Sequence, residues 1–253
     1  MNAAWRALAD EIALCRDAGL GADFWWRDDD AARPTPALGR LLALAAKLRV
    51  PLALAVVPLD AEPGLFAACG EPVSVLQHGT DHRNRALPGE KKTEFPAAEA
   101  PRIAAGRLAA ARERLAAQAG RRFVPVLAPP WNRLPEALLP HLAAAGFRGL
   151  SQYGARSGAE PSTGLRQVNT HVDVIAWRSS RGFVGEDEAL AFAARHLAAK
   201  RAGAADRHEA TGWLTHHAVH DQAAWTFVER LFETTLNMPG VRWLGAQELF
   251  RIS

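Results

Sequence analysis

Cysteine is nearly absent: Cys15 and Cys69 are the only two in 253 residues. Two thiols so far apart exclude a disulfide framework and a cysteine-based zinc site. Long apolar runs are missing as well, and none approaches the ~18 residues of a membrane span. The N-terminus places Asp10 and Glu11 where a secretory leader would be uninterrupted and apolar. No block of one charge occurs. Thirty Lys and Arg stand against 27 Asp and Glu, for a net charge of +3, and the arginines are scattered, so no nucleic-acid partner is expected. Phosphate loops, Gly-x-Ser-x-Gly elbows and dinucleotide fingerprints are missing, as are repeats and low-complexity linkers. What remains is the expectation of a reduced, soluble, cytoplasmic protein. At 49% hydrophobic residues, one domain over 1–253 can bury a substantial core.

Apolar spacing predicts a helix from Ala4 to Ala18, within an N-terminal segment 1–20 that ends at Gly19 and Gly21. Ala22 to Trp26 reads as a buried strand ending at a charged loop. Thr35-Pro36 opens a helix to Leu48. Strands follow at Leu52–Val57 and Val73–Gln77, then a long helix from Ala98 to Ala119 and a strand at Phe123–Leu127. The second half continues with a helix at Glu136–Ala145 and strands at Arg148–Ser151 and Val172–Trp177. Helix Glu186–Lys200, strand Thr211–Leu214, helix Ala223–Leu236 and strand Val241–Leu244 complete the chain. Strands alternating with helices predict a parallel sheet with crossover helices, and about seven such units favour a closed or nearly closed barrel. Gly154 to Gly164, rich in Gly, Ser, Ala and Pro, is the expected mobile loop.

The polar motifs fall where strands end, which is where parallel α/β folds bind ligands. Arg27-Asp28-Asp29-Asp30 follows Phe24-Trp25-Trp26, and three successive carboxylates call for a cation or hydrogen bonds. The plain alternative is a turn capping the next helix. His78 and His82 lie four apart, a spacing that lets two imidazoles share an ion on one helical turn. A surface pair is the plain alternative. His216 and His217 sit at a strand end, where successive side chains point opposite ways, so one faces the site. With His220 they also offer a second metal-site reading. Ala128-Pro129-Pro130-Trp131-Asn132-Arg133 is rigid and aromatic, suited to lining a cleft or simply to making a turn. Asp173 and Trp177 are candidates for the same mouth. His141, His171, His196 and His208 receive no chemistry. Two histidines and a carboxylate leave metal positions open for water and substrate, so the residues point to metal-assisted hydrolysis.

In order, these motifs resemble those of the polysaccharide deacetylase family, the NodB-homology group or carbohydrate esterase family four. The family's motifs are Thr/Ser-Phe-Asp-Asp-Gly, His-Ser/Thr-x-x-His, Arg-x-Pro-Tyr/Phe/Trp and a late Leu-x-His. The resemblance covers roughly residues 22–245. It implies a distorted (β/α) barrel of about seven parallel strands. Carried over, Asp29 resembles the catalytic base, Asp30, His78 and His82 the metal ligands, and His216 the catalytic acid, with His217 as fallback. An alternative register takes Asp28 as base and Asp29 as ligand. Ala31 and Gly79 depart from the family pattern, and Ala128 replaces the Arg that orients the base. Arg27 or Arg133 is then the candidate substitute.

The implied activity is deacetylation of an N-acetylated, or O-acetylated, carbohydrate substrate with a divalent metal ion, zinc before others. Trp131, Pro130, Arg27, Arg133, Asp173 and His217 are the expected substrate-binding residues, and a backbone N–H near Trp131 is expected to stabilise the oxyanion. Two alternatives stand beside it. One is hydrolysis of a non-sugar amide by the same metal site. The other is a catalytically silent sugar-binding relative.

Overall fold

The computed structural model describes residues 2–252. Its strands are β1 (Ala22–Ala31), β2 (Leu52–Val56), β3 (Val73–His78), β4 (Phe123–Ala128), β5 (Gly149–Leu150), β6 (Arg166–Gln167), β7 (Val172–Asp173), β8 (Thr211–Thr215) and β9 (Val241–Trp243). The helices are α1 (Ala3–Asp17), α2 (Pro36–Leu48), α3 (Pro63–Ala68), α4 (Pro101–Ala119), α5 (Leu139–Leu142), α6 (Glu186–Arg201), α7 (Gln222–Thr235) and α8 (Ala246–Phe250). Among these, no helix is long and apolar enough to cross a membrane.

The strands form one sheet in the order β6-β5-β4-β3-β2-β1-β8-β7, with β9 added to β1. Every ladder between them is parallel. One segment joins the two ends of this order. Val168 and Thr170 donate to the carbonyls of Leu150 and Gln152 at 3.1 and 2.9 Å, on the β5 side. His171 and Val174 then donate to Gly212 and Leu214 at 2.7 and 3.1 Å, on the β8 side. Residues 166–174 thus act as one stave in two halves. With β1, β2, β3, β4, β5 and β8 it makes the expected seven-stave distorted barrel.

Strand alternation sorts the side chains into two layers. Phe24, Trp26, Leu52, Leu54, Val56 and Val75 pack outward with Trp5, Leu8 and Ile12 of α1 and with residues of α2, α6 and α7. Trp25, Ala53, Ala55, Leu76, Val124, Val126 and Ala128 point inward and meet Ala246, Leu249 and Phe250 of α8. Small alanines leave room for the one large inward ring, Trp25. Gly212 is part of the same fit, since a Cβ there would lie 2.4 Å from Trp25 Nε1. The spacing of Trp5, Leu8, Ile12 and Cys15 gives α1 one buried face. Thr35 caps α2 by accepting from the Leu38 N–H at 3.1 Å, and Asp221 caps α7 through the Ala224 N–H at 2.7 Å.

Several boundaries differ from expectation. β1 runs five residues beyond Trp26, so the three aspartates lie in the strand rather than in a loop after it. Thr35, not an aspartate, caps the next helix. Glu136–Ala145 is a 3₁₀ turn followed by the four-residue α5, because Pro140 interrupts a continuous helix. The strand expected at Val172–Trp177 is only two residues long, and the chain then turns at Ile175 through a side-chain bond to Asp173 Oδ1. α3, β6 and α8 were not anticipated.

Candidate active site

The inward parity of β1 carries Trp25, Arg27 and Asp29 along one face, so Arg27 and Asp29 are neighbours at the strand's C-terminal end. Their ion pair is bidentate, with Nε and Nη2 donating to the two Asp29 oxygens at 2.8 and 2.9 Å. Arg27 also donates from Nη1 to the Ser151 carbonyl and hydroxyl at 3.0 and 2.7 Å, and from Nη2 to Asn132 Oδ1 at 2.7 Å. All five N–H groups of the guanidinium are therefore used. Arg27 is fully buried and Asp29 only 1% exposed. Expected among the substrate-binding groups, Arg27 is instead enclosed and saturated, and it holds Asp29.

Asp28 points the other way, by the same alternation. Its Oδ2 accepts from Thr215 Oγ1 at 2.6 Å and from the His217 N–H at 3.0 Å, and Oδ1 meets His217 Nδ1 at 2.5 Å. Burial would raise the Asp28 carboxyl, but the charge of His217 and its hydrogen bond hold it below the ordinary range. His217 is raised in return: burial opposes the change and the Asp28 charge overrides it. Both are committed to each other behind the sheet. This geometry leaves the alternative register without a ligand set, and it removes His217 from the expected substrate-binding face.

Strict alternation would send Asp30 outward with Asp28. A bulge prevents this. The β1–β2 register runs from Asp28↔Leu54 to Ala31↔Val56, three residues against two, and Asp30 has φ 70. Asp30 Oδ1 then lies 3.1 Å from His78 Nε2 and 3.2 Å from His82 Nε2. His78 is the last residue of β3, and His82 sits in the following irregular loop at φ 54. The helical turn expected for this pair is absent; a strand end and a left-handed residue bring the rings together, with centroids 5.1 Å apart.

Gly79 makes that turn possible. It has φ 62, and a Cβ there would fall 2.1 Å from Glu94 Oε2 and 2.6 Å from Pro130. Buried Glu94 accepts from the Thr80 N–H at 2.8 Å and from the Thr80 hydroxyl, fastening the loop.

The donor set Asp30, His78 and His82 fits a divalent cation. His78 Nδ1 is 2.9 Å from the Ala128 carbonyl. Nδ1 must carry the proton there, which leaves the Nε2 lone pair directed at Asp30. Asp30 Oδ1 is buried and receives no aligned hydrogen bond. Three lone pairs thus converge with no donor between them. Burial alone would raise the Asp30 carboxyl; when His78 and His82 carry protons, their hydrogen bonds and charge hold it far below the usual carboxylate range. His78 is raised despite its burial, first by the charge of Asp29 and then by Asp30. The field at this point favours positive charge.

His216 follows β8 on the inward parity. Its Nδ1 is 3.9 Å from Asp173 Oδ1, and its charge reaches Asp30. Trp177 packs edge-on against it at 4.7 Å and donates from Nε1 to Asp173 Oδ2 at 2.9 Å. Burial pushes the Asp173 carboxyl up. Trp131, at φ 56, lays its ring 4.5 Å from that of His82, beside buried Pro130. Arg133 turns away and donates to the Lys92 carbonyl at 2.6 Å. Nothing brings it to Asp29, so of the two candidate substitutes only Arg27 meets the carboxylate.

Sequence reasoning missed a second polar cluster of buried His171, His196 and Glu209. Its rings stack at 3.4 Å, and His171 Nε2 lies 3.4 Å from Glu209 Oε2. Here the tautomer is reversed. His171 Nδ1 accepts the Gly212 N–H at 3.0 Å, so Nε2 holds the proton and has no lone pair for a metal. Glu209 instead accepts from the Asn169 and Arg156 N–H groups at 2.9 and 3.0 Å. It pins the seam where the stave changes neighbours. No spacing signal marks these three residues, which come from the segment just before β7, from α6 and from the loop before β8.

The sequence matches no family model and no curated protein. Solved structures do match in fold. An allantoinase aligns at TM-score 0.61 and 13% identity, over 91% of this chain and 90% of its own. A peptidoglycan N-acetylglucosamine deacetylase aligns at 0.55 and 15%, over 92% and 90%. A family 4 acetyl xylan esterase of Clostridium thermocellum, solved with a cobalt ion, aligns at 0.52 and 14%, over 91% of both chains. This chain has the fold of the polysaccharide deacetylases and family 4 carbohydrate esterases.

Proposed function

We propose that this protein is a metal-dependent deacetylase that hydrolyses the acetyl group of an N-acetylated sugar. The observation that carries the reading is the pairing of two units at one strand end: Asp29 clamped by Arg27, and Asp30 converging with His78 and His82. Asp30, His78 and His82 would hold a divalent ion, zinc before others, which supplies Lewis acidity toward the acyl oxygen.

The chain's own residues do the proton work. Asp29, held in place by Arg27, takes a proton from the attacking water as its oxygen bonds to the acyl carbon. A backbone N–H near Trp131 receives the developing oxyanion. His216, oriented by Asp173 and Trp177, then donates a proton to the amine nitrogen as the C–N bond breaks. Acetate and a free amine leave. Each positioned acid or base contributes about 10²–10⁴-fold in rate. The rings of Trp131 and Trp177 are the flat surfaces available to a sugar.

The test pairs metal content with acetate release. Wild type is expected to hold about one equivalent of divalent metal and to release acetate from N-acetylated oligosaccharides. Asp29→Asn is expected to keep the metal and lose turnover, and His78→Ala to lose both. Full turnover in Asp29→Asn would remove that residue as base. The fold-level match to an allantoinase favours one second reading, hydrolysis of a non-sugar amide by the same groups. Turnover of small amides with none on acetylated sugars would select it. Glycan binding without acetate release under saturating metal would select a silent sugar-binding protein.

A further inference from the structure

A concavity of about 670 Å³ lies away from the candidate active site, and its lining includes Arg148, Arg156, Arg166, Asp206, Phe250 and Arg251. Arg148 directly precedes β5, Arg166 is the first residue of β6, and Arg251 follows α8. All lie at the strand N-terminal end of the barrel, whereas Asp29, Asp30, His78 and His216 lie at the C-terminal end.

The arginines there are unequally partnered. Arg156 is committed, donating from Nε and Nη2 to Asp206 at 2.9 and 2.8 Å and from Nη1 to the Gln167 carbonyl. Arg166 donates from Nε to the Leu249 carbonyl at 2.6 Å, a neutral acceptor. Among the described residues, no carboxylate lies within 4.0 Å of the side chains of Arg148, Arg166 or Arg251. Arg166 is pushed down from its ordinary value by burial and then by the charges of Arg251 and Arg156. Among the described residues, three like charges therefore share one concavity with no acid paired to them, an unfavourable arrangement that a bound anion relieves.

The chemistry selects the kind of anion. Each guanidinium presents a planar fork that matches two oxygens of a phosphate. The volume lies within the range of about 300–1,000 Å³ typical of small-molecule sites, and Leu165, Phe250 and Ile252 supply apolar lining. Glu160 and Asp206 also line it, which disfavours an extended polyanion and favours a compact group seated among the arginines.

We propose that this concavity binds a phosphate-bearing small molecule through Arg148, Arg166 and Arg251, at a site separate from the metal-binding end. The proposal stands on the arginine placement and does not depend on the reaction assigned above.

The full-length protein is titrated with inorganic pyrophosphate, orthophosphate and acetate at low ionic strength, by calorimetry and thermal unfolding. Pyrophosphate is expected to bind one to one and raise the Tm, orthophosphate more weakly, and acetate not at all in the same range. Arg148→Ala combined with Arg251→Ala is expected to weaken pyrophosphate at least about ten-fold. Both side chains are exposed, so the unliganded Tm should stay unchanged. His78→Ala is expected to bind pyrophosphate as wild type does, which separates this site from the metal ligands. Absence of pyrophosphate binding, equal binding in the double variant, or its loss in His78→Ala would each overturn the proposal.

Discussion

Replacing Arg27 with Met removes a guanidinium whose five N–H groups are all used and leaves the Asp29 carboxylate buried beside a hydrophobe. Methionine fills most of the volume, so the loss is electrostatic rather than a cavity. Removing one member of a buried ion pair costs about 3–5 kcal/mol, because the remaining charge keeps its desolvation penalty and loses its partner. Against a typical total of about 5–15 kcal/mol, the fold survives in a weakened state. Urea unfolding at pH 7 measures the difference directly. Arg27→Met with Asp29→Leu is expected to recover much of the loss by removing both charges. Arg27→Lys keeps one charge but not the fork, and should fall between wild type and Arg27→Met. A cost below about 1 kcal/mol for Arg27→Met would refute the claim that this pair holds Asp29.

Three further outcomes follow from the geometry. Gly79→Ala forces a Cβ into Glu94 and Pro130 at a left-handed backbone position, so it is expected to lower stability by about 1–3 kcal/mol and to weaken metal binding through His78 and His82; unchanged metal affinity would show that the loop tolerates the shift. Burial, with help from neighbouring His171, pushes His196 down to about 2. The unfolded chain therefore binds the proton more readily, and stability should fall as the pH drops from about 6.5 toward 2; His196→Gln is expected to flatten that slope in pH-dependent unfolding, and an unchanged slope would place the acid sensitivity elsewhere. Asp173→Asn leaves His216 without its carboxylate, and is expected to lower kcat by about 10-fold or more; a kcat identical to wild type would rule out a role for Asp173 in positioning the acid.

Much of this protein was legible in one dimension. A strand has period two and a helix 3.6, so the alternation of β and α units and the burial of Phe24, Trp25 and Trp26 could be read directly. Parallel units place strand ends together, and that rule gathered the three aspartates, His78, His82 and the His216–His217 pair as candidates; Asp30 and His216 were singled out only by the family resemblance. The choice among equals was not legible. Asp28, Asp29 and Asp30 are identical side chains in succession, and only the bulge at Asp30 with its positive φ assigns one to His217, one to Arg27 and one to the two histidines. Arg27 and Arg133 were equivalent on paper, and parity on β1 decided between them. Gly79 read as a departure from a pattern until Glu94, fifteen residues later, was seen to fill the space of its missing Cβ. The His171–His196–Glu209 cluster and the arginine concavity carry no sequence signal, because their members come from elements that meet only when residues 166–174 close the barrel. Local periodicity is written residue by residue in the chain; which of two like side chains faces which partner depends on backbone geometry and distant neighbours, and these exist only in the folded molecule.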